Sequence, residues 1–391
     1  MMRKAVKNMT EAKVFADNFS CIFRDPGDFF CFLKDREDNS EWLMSPSRDL
    51  RFSPLEKGSP AGNLFMQLNA LNGSGDVLID TMENTGLLME VNGESYPVRS
   101  CALKSVLERA RISGNALSKL KKSVFAEILN YCMGIATGDS LIKIADAKVS
   151  AVHGGDPKDY AKMEMLDLFE HVFDYLNCEF PGHHFITAHF DHAMVTAIWR
   201  LDGQANQLMD TYKREVAAKG LDPNGIVPAL RFSTSDVGMG GANLYPIFFR
   251  GSNNRIVPLG YPIKTEHRYG VDLDYFDKQL RLLYARFGDA IKAQMRLLDI
   301  EIRYPCTTLL GVLKKIGAPK KYSYDAADNF MAINGDTPCT AYELYLQMSE
   351  VIFEAQCDGV AGIRIAQLEE TIARALRVAW SDFDRPGEFK W

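Results

Sequence analysis

Residue types able to do chemistry gather in three stretches of the chain. Five of the seven histidines fall close together: His171, His183, His184, His189 and His192. A zinc site needs three or four such ligands converging at about 2.0–2.1 Å. As strand residues, His184 and His189 face opposite sides. His189 and His192 straddle a turn beside Asp191, at a spacing that fits no zinc motif, and the chain has no C-x-x-C or H-E-x-x-H. No metal and no cofactor is expected. The second stretch, STSDVGMGGAN at 233–243, could turn backbone N–H groups toward a phosphate. No lysine stands at the P-loop position and a strand follows, so the stretch reads as a hairpin loop. Ser235-Asp236 lacks the neighbouring base that a serine nucleophile requires. No catalytic constellation closes, and an enzyme ranks behind two binding roles.

The third stretch, 245–269, interleaves rings with cations. Tyr245, Phe248, Phe249, Tyr261 and Tyr269 lie among Arg250, Arg255, Lys264, His267 and Arg268, with Glu266 the single acid. Single-strand binders use this mixture, cations tracking phosphates while rings stack on bases. The candidate nucleic-acid-binding residues are therefore Arg250, Arg255, Tyr261, Lys264, Arg268 and Tyr269. Lys119, Lys121 and Lys122 join them from a basic run at 103–122, which also holds Lys104, Arg109 and Arg111 against Glu108. An acidic run follows at 156–180, where Asp156, Asp159, Glu164, Asp167, Glu170, Asp174 and Glu179 face only Lys158 and Lys162.

The elements that must position these residues follow from periodicity and turn signals. FFCFLK (29–34) and EWLMS (41–45) read as a hairpin around DREDNS. The segment 45–63 reads as a loop and 64–71 as one or two helical turns. DVLIDTM (76–82) and GLLMEV (86–91) read as strands, and Asn92-Gly93 is the strongest hairpin signal. Helices are expected over 101–133, 159–176 and 204–219. LIKIADAKVSAVHGG (141–155) reads as one alternating strand. Further strands are expected at 183–190, 193–201, 226–238 and 242–251, with a turn at Pro223-Asn224-Gly225. From Leu273 to Leu298, eight large apolar residues recur every three or four positions, predicting one helix roughly 39 Å long. The part from 306 onward reads as mostly helical. The expected fold is α+β: an antiparallel or mixed sheet with a long packing helix, plus a helical C-terminal part. The expected regions are 1–100, strand-rich; 101–303, the α+β core; and 304–391, helical.

Composition bounds the rest. The 391 residues are 47% hydrophobic and 25% charged, with a formal net charge of −6, which excludes a mainly disordered chain. Bulk acidity counts against indiscriminate polyanion binding but not against a local basic groove. No apolar run approaches the roughly 18 residues of a membrane span. The start, MMRKAVKNMTEAKVFADNF, has no apolar stretch of the kind a secretory signal carries. The eight cysteines form no close pairs and read as reduced thiols in a cytoplasmic protein.

The order of these parts resembles the phage/plasmid-like protein family catalogued as a domain of unknown function, over about residues 100–380. The residues that carry the likeness are Ser235–Gly238, the RGSNN turn after the following strand, and Thr340–Glu350. The family usually has a cysteine in that turn; Ser252-Asn253-Asn254 stands here instead, which argues against a thiol role. The resemblance implies an accessory protein of a mobile element that handles single-stranded nucleic acid by binding or annealing, with self-association an open alternative. The other role is a protein-binding accessory, such as an inhibitor of a host defence complex, which the acidic balance suits.

Overall fold

The computed structural model describes residues 13–391 except 60–61, 65–66, 68–74, 202–204, 224, 252–253 and 361. The turns expected at 64–71, at Asn224 and at Ser252-Asn253 thus lie wholly or partly outside the described residues. In chain order the first elements are β1 (Ser20–Phe23), α1 (Pro26–Asp38), β2 (Ser40–Pro46), β3 (Arg51–Pro54), α2 (Gly75–Glu83), β4 (Leu87–Val91) and β5 (Glu94–Pro97). Next come α3 (Ala102–Arg109), α4 (Lys122–Gly134), β6 (Asp139–Ala145), β7 (Lys148–Gly154), α5 (Met165–Glu179), β8 (His184–Asp191), β9 (Val195–Arg200), α6 (Ala205–Ala218), β10 (Ile226–Thr234), β11 (Ala242–Arg250), β12 (Arg255–Pro258) and β13 (Ile263–Thr265). The last are α7 (Leu273–Leu280), α8 (Leu283–Met295), β14 (Glu301–Ile302), α9 (Pro305–Ile316), α10 (Lys320–Asn334), β15 (Cys339–Thr340), α11 (Ala341–Gln347), α12 (Ser349–Cys357) and α13 (Gly362–Ala373).

The fold is α+β, built on antiparallel sheets with a helical C-terminal part. The main sheet runs β1-β8-β9-β10-β11-β12, with β13 also on β11. Two three-stranded sheets run β2-β6-β7 and β3-β4-β5. Pairings cross the expected region boundaries: β1 pairs with β8, β2 with β6, and β14 with β15. Strand alternation sorts the main sheet's side chains. Val195, Ala197, Trp199, Leu230, Phe232, Leu244 and Phe248 point into the larger core with α5, α7 and α8. Ala229, Tyr245, Ile247 and Phe249 point to the other face, where Ala366 of α13 covers them. A second core joins the β2-β6-β7 and β3-β4-β5 sheets to α3 and α4.

Five expectations need correcting. The run 29–34 is helix, not a hairpin strand. Asp25 caps α1 by accepting from the Asp28 N–H at 3.0 Å, Pro26 opens the first turn, and Phe29, Phe32, Leu33 and Arg36 share its buried face. The run 76–82 is also helix, with Leu78 and Thr81 buried and the Thr81 hydroxyl donating to the Val77 carbonyl at 2.7 Å. The single strand expected over 141–155 is a hairpin. Asp146 and Ala147 take φ of 51° and 62°, so a tight turn of the primed kind joins β6 to β7 without the usual Asn-Gly. The 159–176 helix begins at Met165.

The fifth correction concerns the long helix. Its apolar stripe is buried as expected at Phe276, Leu280, Leu283, Phe287, Ile291 and Leu298. The helix itself is broken into α7 and α8 at Arg281-Leu282, where the Leu282 N–H bonds the Gln279 carbonyl three residues back. It then tightens into a 3-10 turn over Arg296–Asp299. Packing on a curved sheet needs the stripe to be continuous but not the helix to be straight.

Truncating Phe287 or Leu283 to Ala should lower unfolding free energy by about 2–5 kcal/mol in a urea titration. Leu282→Ala, at the exposed break, should change it by no more than about 0.5 kcal/mol. Equal losses at the three positions would contradict this account of the stripe.

Candidate functional site

The loop between β10 and β11, residues 235–241, organises the neighbourhood. Ser235 Oγ accepts from the Val237 and Met239 N–H groups, turning the chain tightly. That turn drives Asp236 into the interior, where its side chain is 1% exposed. Arg36 of α1 donates to its Oδ2 at 3.1 Å and Lys143 of β6 does so at 2.7 Å. The two cations hold this carboxyl well below the ordinary range, against the desolvation that would raise it. Glu164 lies 3.6 Å from Lys143, and Trp42 lies beneath the Lys143 ammonium.

The backbone of Asp236 does separate work. Its carbonyl accepts from His153 Nε2 and from the Tyr160 hydroxyl, both at 3.2 Å. His153 and Tyr160 stack with centroids 3.7 Å apart, and His267 continues the stack at 5.6 Å. Burial pushes the His153 and His267 imidazoles down to about 4. His153 is therefore neutral near pH 7. Since a carbonyl only accepts, Nε2 carries the hydrogen and Nδ1 keeps the lone pair.

Above His153 opens a cavity of about 440 Å³. One wall is α3 with the turn after it, contributing Ser105, Glu108, Arg109 and Arg111. The floor is the end of β7, Val152 to Gly154. The far wall contributes Lys158, Asp159, Arg268 and Tyr269. Two loops are zipped together to build that wall: the Tyr269 N–H donates to the Lys158 carbonyl, Gly270 to Pro157, and Ala161 to His267. Four cations face two carboxylates here, a local excess opposite in sign to the chain's net charge. Arg109 is committed to Ser47, Ser140 and the Thr137 and Asp139 carbonyls, so it braces the wall. Arg111, Lys158 and Arg268 are exposed, and Tyr269 is 74% exposed. Arg268 meets Glu266 at 3.1 Å, a surface pair that holds a guanidinium only weakly. Gly154 is required by close approach, since a Cβ there would lie 2.2 Å from Asp159 Oδ2.

Of the expected binding residues, only Arg268 and Tyr269 line this cavity. Arg255 is paired with Glu350, Lys264 with Glu370 at 2.6 Å, and Tyr261 lies under the Arg377 guanidinium at 4.3 Å. Arg250 is half-buried near Tyr212 and Tyr342. Lys119 and Lys121 are exposed at the approach to α4, while Lys122 packs along Gly86. The histidine cluster disperses in part: His171 bonds Asp277 at 2.7 Å, His183 the Phe180 carbonyl, and buried His192 the Ala16 carbonyl, while His189 and His192 line one cavity with Asp191. Among the described residues no three His, Cys, Asp or Glu side chains converge as metal ligands, and no helix is long and apolar enough to cross a membrane. Sequence reasoning missed Lys143, His153 and Tyr160. The signal available for two of them was a lysine and a histidine inside otherwise apolar strands.

Comparison settles no family. No family model, curated protein or solved structure gives a significant match to this chain.

Asp236→Asn would leave Arg36 and Lys143 buried without their shared counter-charge and should cost about 3–5 kcal/mol in a denaturant titration. Lys143→Met keeps the Arg36–Asp236 pair and should cost less; the reverse order would refute the assignment of Asp236 as the common partner.

Acid should also weaken the fold. His153, His267 and His192, the last pushed down to about 3, stay neutral when folded, whereas an unfolded imidazole takes a proton near pH 6.5. The unfolded state binds more protons in that window, so stability falls as pH drops from about 6.5 toward 4. Glu369, pushed up to about 7 by burial, acts in the opposite sense, as do the Glu37 and Asp146 carboxyls that burial raises, while the lowered Asp17 and Asp236 carboxyls act with the imidazoles. Melting temperatures across this range should show the decline, and His153→Gln with His267→Gln should flatten it. A melting temperature that rises on acidification would contradict the assignment.

Proposed function

We propose that the protein binds single-stranded nucleic acid, without cleaving it, in the cleft between the α3 wall and the 156–160 and 266–270 loops. The observation that carries this reading is the exposed Tyr269 ring beside Arg111, Lys158 and Arg268 on one concave surface. Phosphates are held by the cations and a base stacks on the ring, a combination that tolerates any sequence. A binding role fits the commitments of the polar groups nearby. Ser105 Oγ is taken up by the Val152 N–H and the Ala102 carbonyl, and His153 Nε2 by Asp236, so Ser105 and His153 form no hydroxyl–imidazole pair, and the Thr234 hydroxyl that meets His267 Nε2 at 3.1 Å is buried. The resemblance to the phage/plasmid-like family supplies a setting, a mobile-element accessory that binds or anneals strands.

A second role has its own support. Glu164, Asp167, Asp272 and Asp274 line another cavity, with Lys162 the one cation there, and burial together with crowding by Glu164 and Asp167 raises the Glu37 carboxyl. This is a face for a basic protein partner.

Salt-titrated anisotropy with labelled oligo-dT separates the roles. Each of Arg111→Ala, Lys158→Ala and Arg268→Ala should weaken binding and reduce the log–log salt slope by roughly 0.7. Tyr269→Ala should weaken it by about 1–3 kcal/mol with little change in slope. Lys264→Ala, whose ammonium already serves Glu370, should behave as wild type. Absence of binding at low salt would remove the strand reading and leave the acidic face in front.

A further inference from the structure

The cleft is too selective at its floor to be a mere cationic surface. His153 is 9% exposed, it lines the cavity, and its Nε2 edge is turned to the Asp236 carbonyl. Nδ1, on the other side of the ring, keeps its lone pair, so that edge accepts a hydrogen bond and offers none. Gly238, at φ 74°, keeps that edge open: a Cβ there would stand 3.0 Å from His153 Cε1 and 3.7 Å from Nδ1. The Gly238 carbonyl is held in turn by Lys104 Nζ at 2.9 Å.

A fully ionised phosphate presents only acceptors. It would be repelled at His153 and attracted at the rim. The ligand that satisfies both ends carries an anionic group for Arg111, Lys158 and Arg268, a flat face for Tyr269, and a hydroxyl, amino or ring N–H donor for His153. A volume of about 440 Å³ lies within the roughly 300–1,000 Å³ range of pockets that enclose one small molecule. We infer that the cleft seats a single nucleoside monophosphate unit, free or at the end of a strand, with its phosphate on the rim cations and a donor of its base or sugar on His153 Nδ1. The inference rests on the reading of the cleft as a strand-binding site and narrows it from a track for backbone to a seat for one nucleotide.

The test displaces labelled oligo-dT with dAMP, dTMP or inorganic phosphate, using the full chain. A deoxynucleoside monophosphate should compete at a concentration at least about tenfold lower than inorganic phosphate, the order expected of one added hydrogen bond and a stacked ring. His153→Phe should shrink that advantage about tenfold while leaving competition by inorganic phosphate unchanged. His153→Gln, whose amide can still donate to Asp236 and accept from a ligand, should retain most of it. Gly238→Ala, which crowds the same imidazole edge from outside, should reproduce the loss should His153→Phe fail to fold. Tighter binding of 5′-phosphorylated than of unphosphorylated oligonucleotide marks a strand end as the source of the unit; equal binding with competition by dAMP or dTMP marks the free nucleotide. Oligonucleotide binding that inorganic phosphate displaces as well as either nucleotide, or a His153→Phe protein that keeps the full nucleotide advantage, overturns this inference alone. Failure of the oligonucleotide to bind at low salt overturns it together with the strand reading.

Discussion

One buried carboxylate sets the terms for much of this structure. Asp236 lies out of water, and a lone ion there would cost several kcal/mol even after relaxation. Its stability depends on Arg36 and Lys143 reaching it from different elements. Arg36 comes from α1, 200 positions away in the chain, and Lys143 from the β2-β6-β7 sheet. The β10–β11 loop, the first helix and the second sheet therefore cannot shift independently without exposing unpaired charge. The ordinary apolar core fills the space between them but is non-directional, so it fixes the distance better than the orientation.

The same device recurs where other elements meet. Lys148, fully buried on β7, is held by Asp17 at 2.9 Å and by Asp80 of α2. Arg231 of β10 pairs with Glu369 of α13, fastening the C-terminal helix to the outer face of the main sheet. Tyr245 beside it bonds Glu370 and lies under the Arg231 guanidinium at 4.1 Å. These pairs add little net stability over apolar residues of the same volume, because desolvation offsets the Coulomb gain. What each adds is a penalty for any arrangement that parts it.

These long-range pairs also explain which features were legible in the sequence. Hairpins with local turn chemistry were readable, as at Asn92-Gly93, where φ values of 53° and 88° match the dipeptide. So were the strands 184–191 and 195–200 and the stripe from Phe276 to Leu298, because periodicity reports burial directly. The α1 segment was misread because six aromatic-rich residues favour a strand in isolation. The deciding signals, Asp25 and Pro26, stand outside that window. Asp146-Ala147 turns through positive φ without glycine or asparagine, so nothing local marks it. The site was legible only at Arg268 and Tyr269. Arg255 and Lys264 are equally cationic on paper, but Glu350 and Glu370 reach them from roughly a hundred residues away, and no spacing rule reports a partner at that distance.

The ionic hub and the cleft are parts of one polar path. The carboxylate of Asp236 faces the core while its carbonyl orients His153, so one residue fixes the packing of α1 and the tautomer of the imidazole under the cavity. Tyr160 shares that carbonyl and stacks on the ring, which leaves His153 little freedom to flip. At the cavity mouth, Arg111 and Tyr269 both hold positive φ, 54° and 63°, a conformation that side chains other than glycine, asparagine and aspartate seldom adopt. Each such residue costs about 1–3 kcal/mol unless its surroundings enforce it. At Tyr269 they do, through the hydrogen bonds from Tyr269 to Lys158 and from Gly270 to Pro157. The ring is thereby projected into solvent and not folded back onto the apolar core that would otherwise attract it. The strain is the physical consequence of presenting an aromatic face beside three exposed cations, and the buried charges beneath supply the rigid base against which it is held.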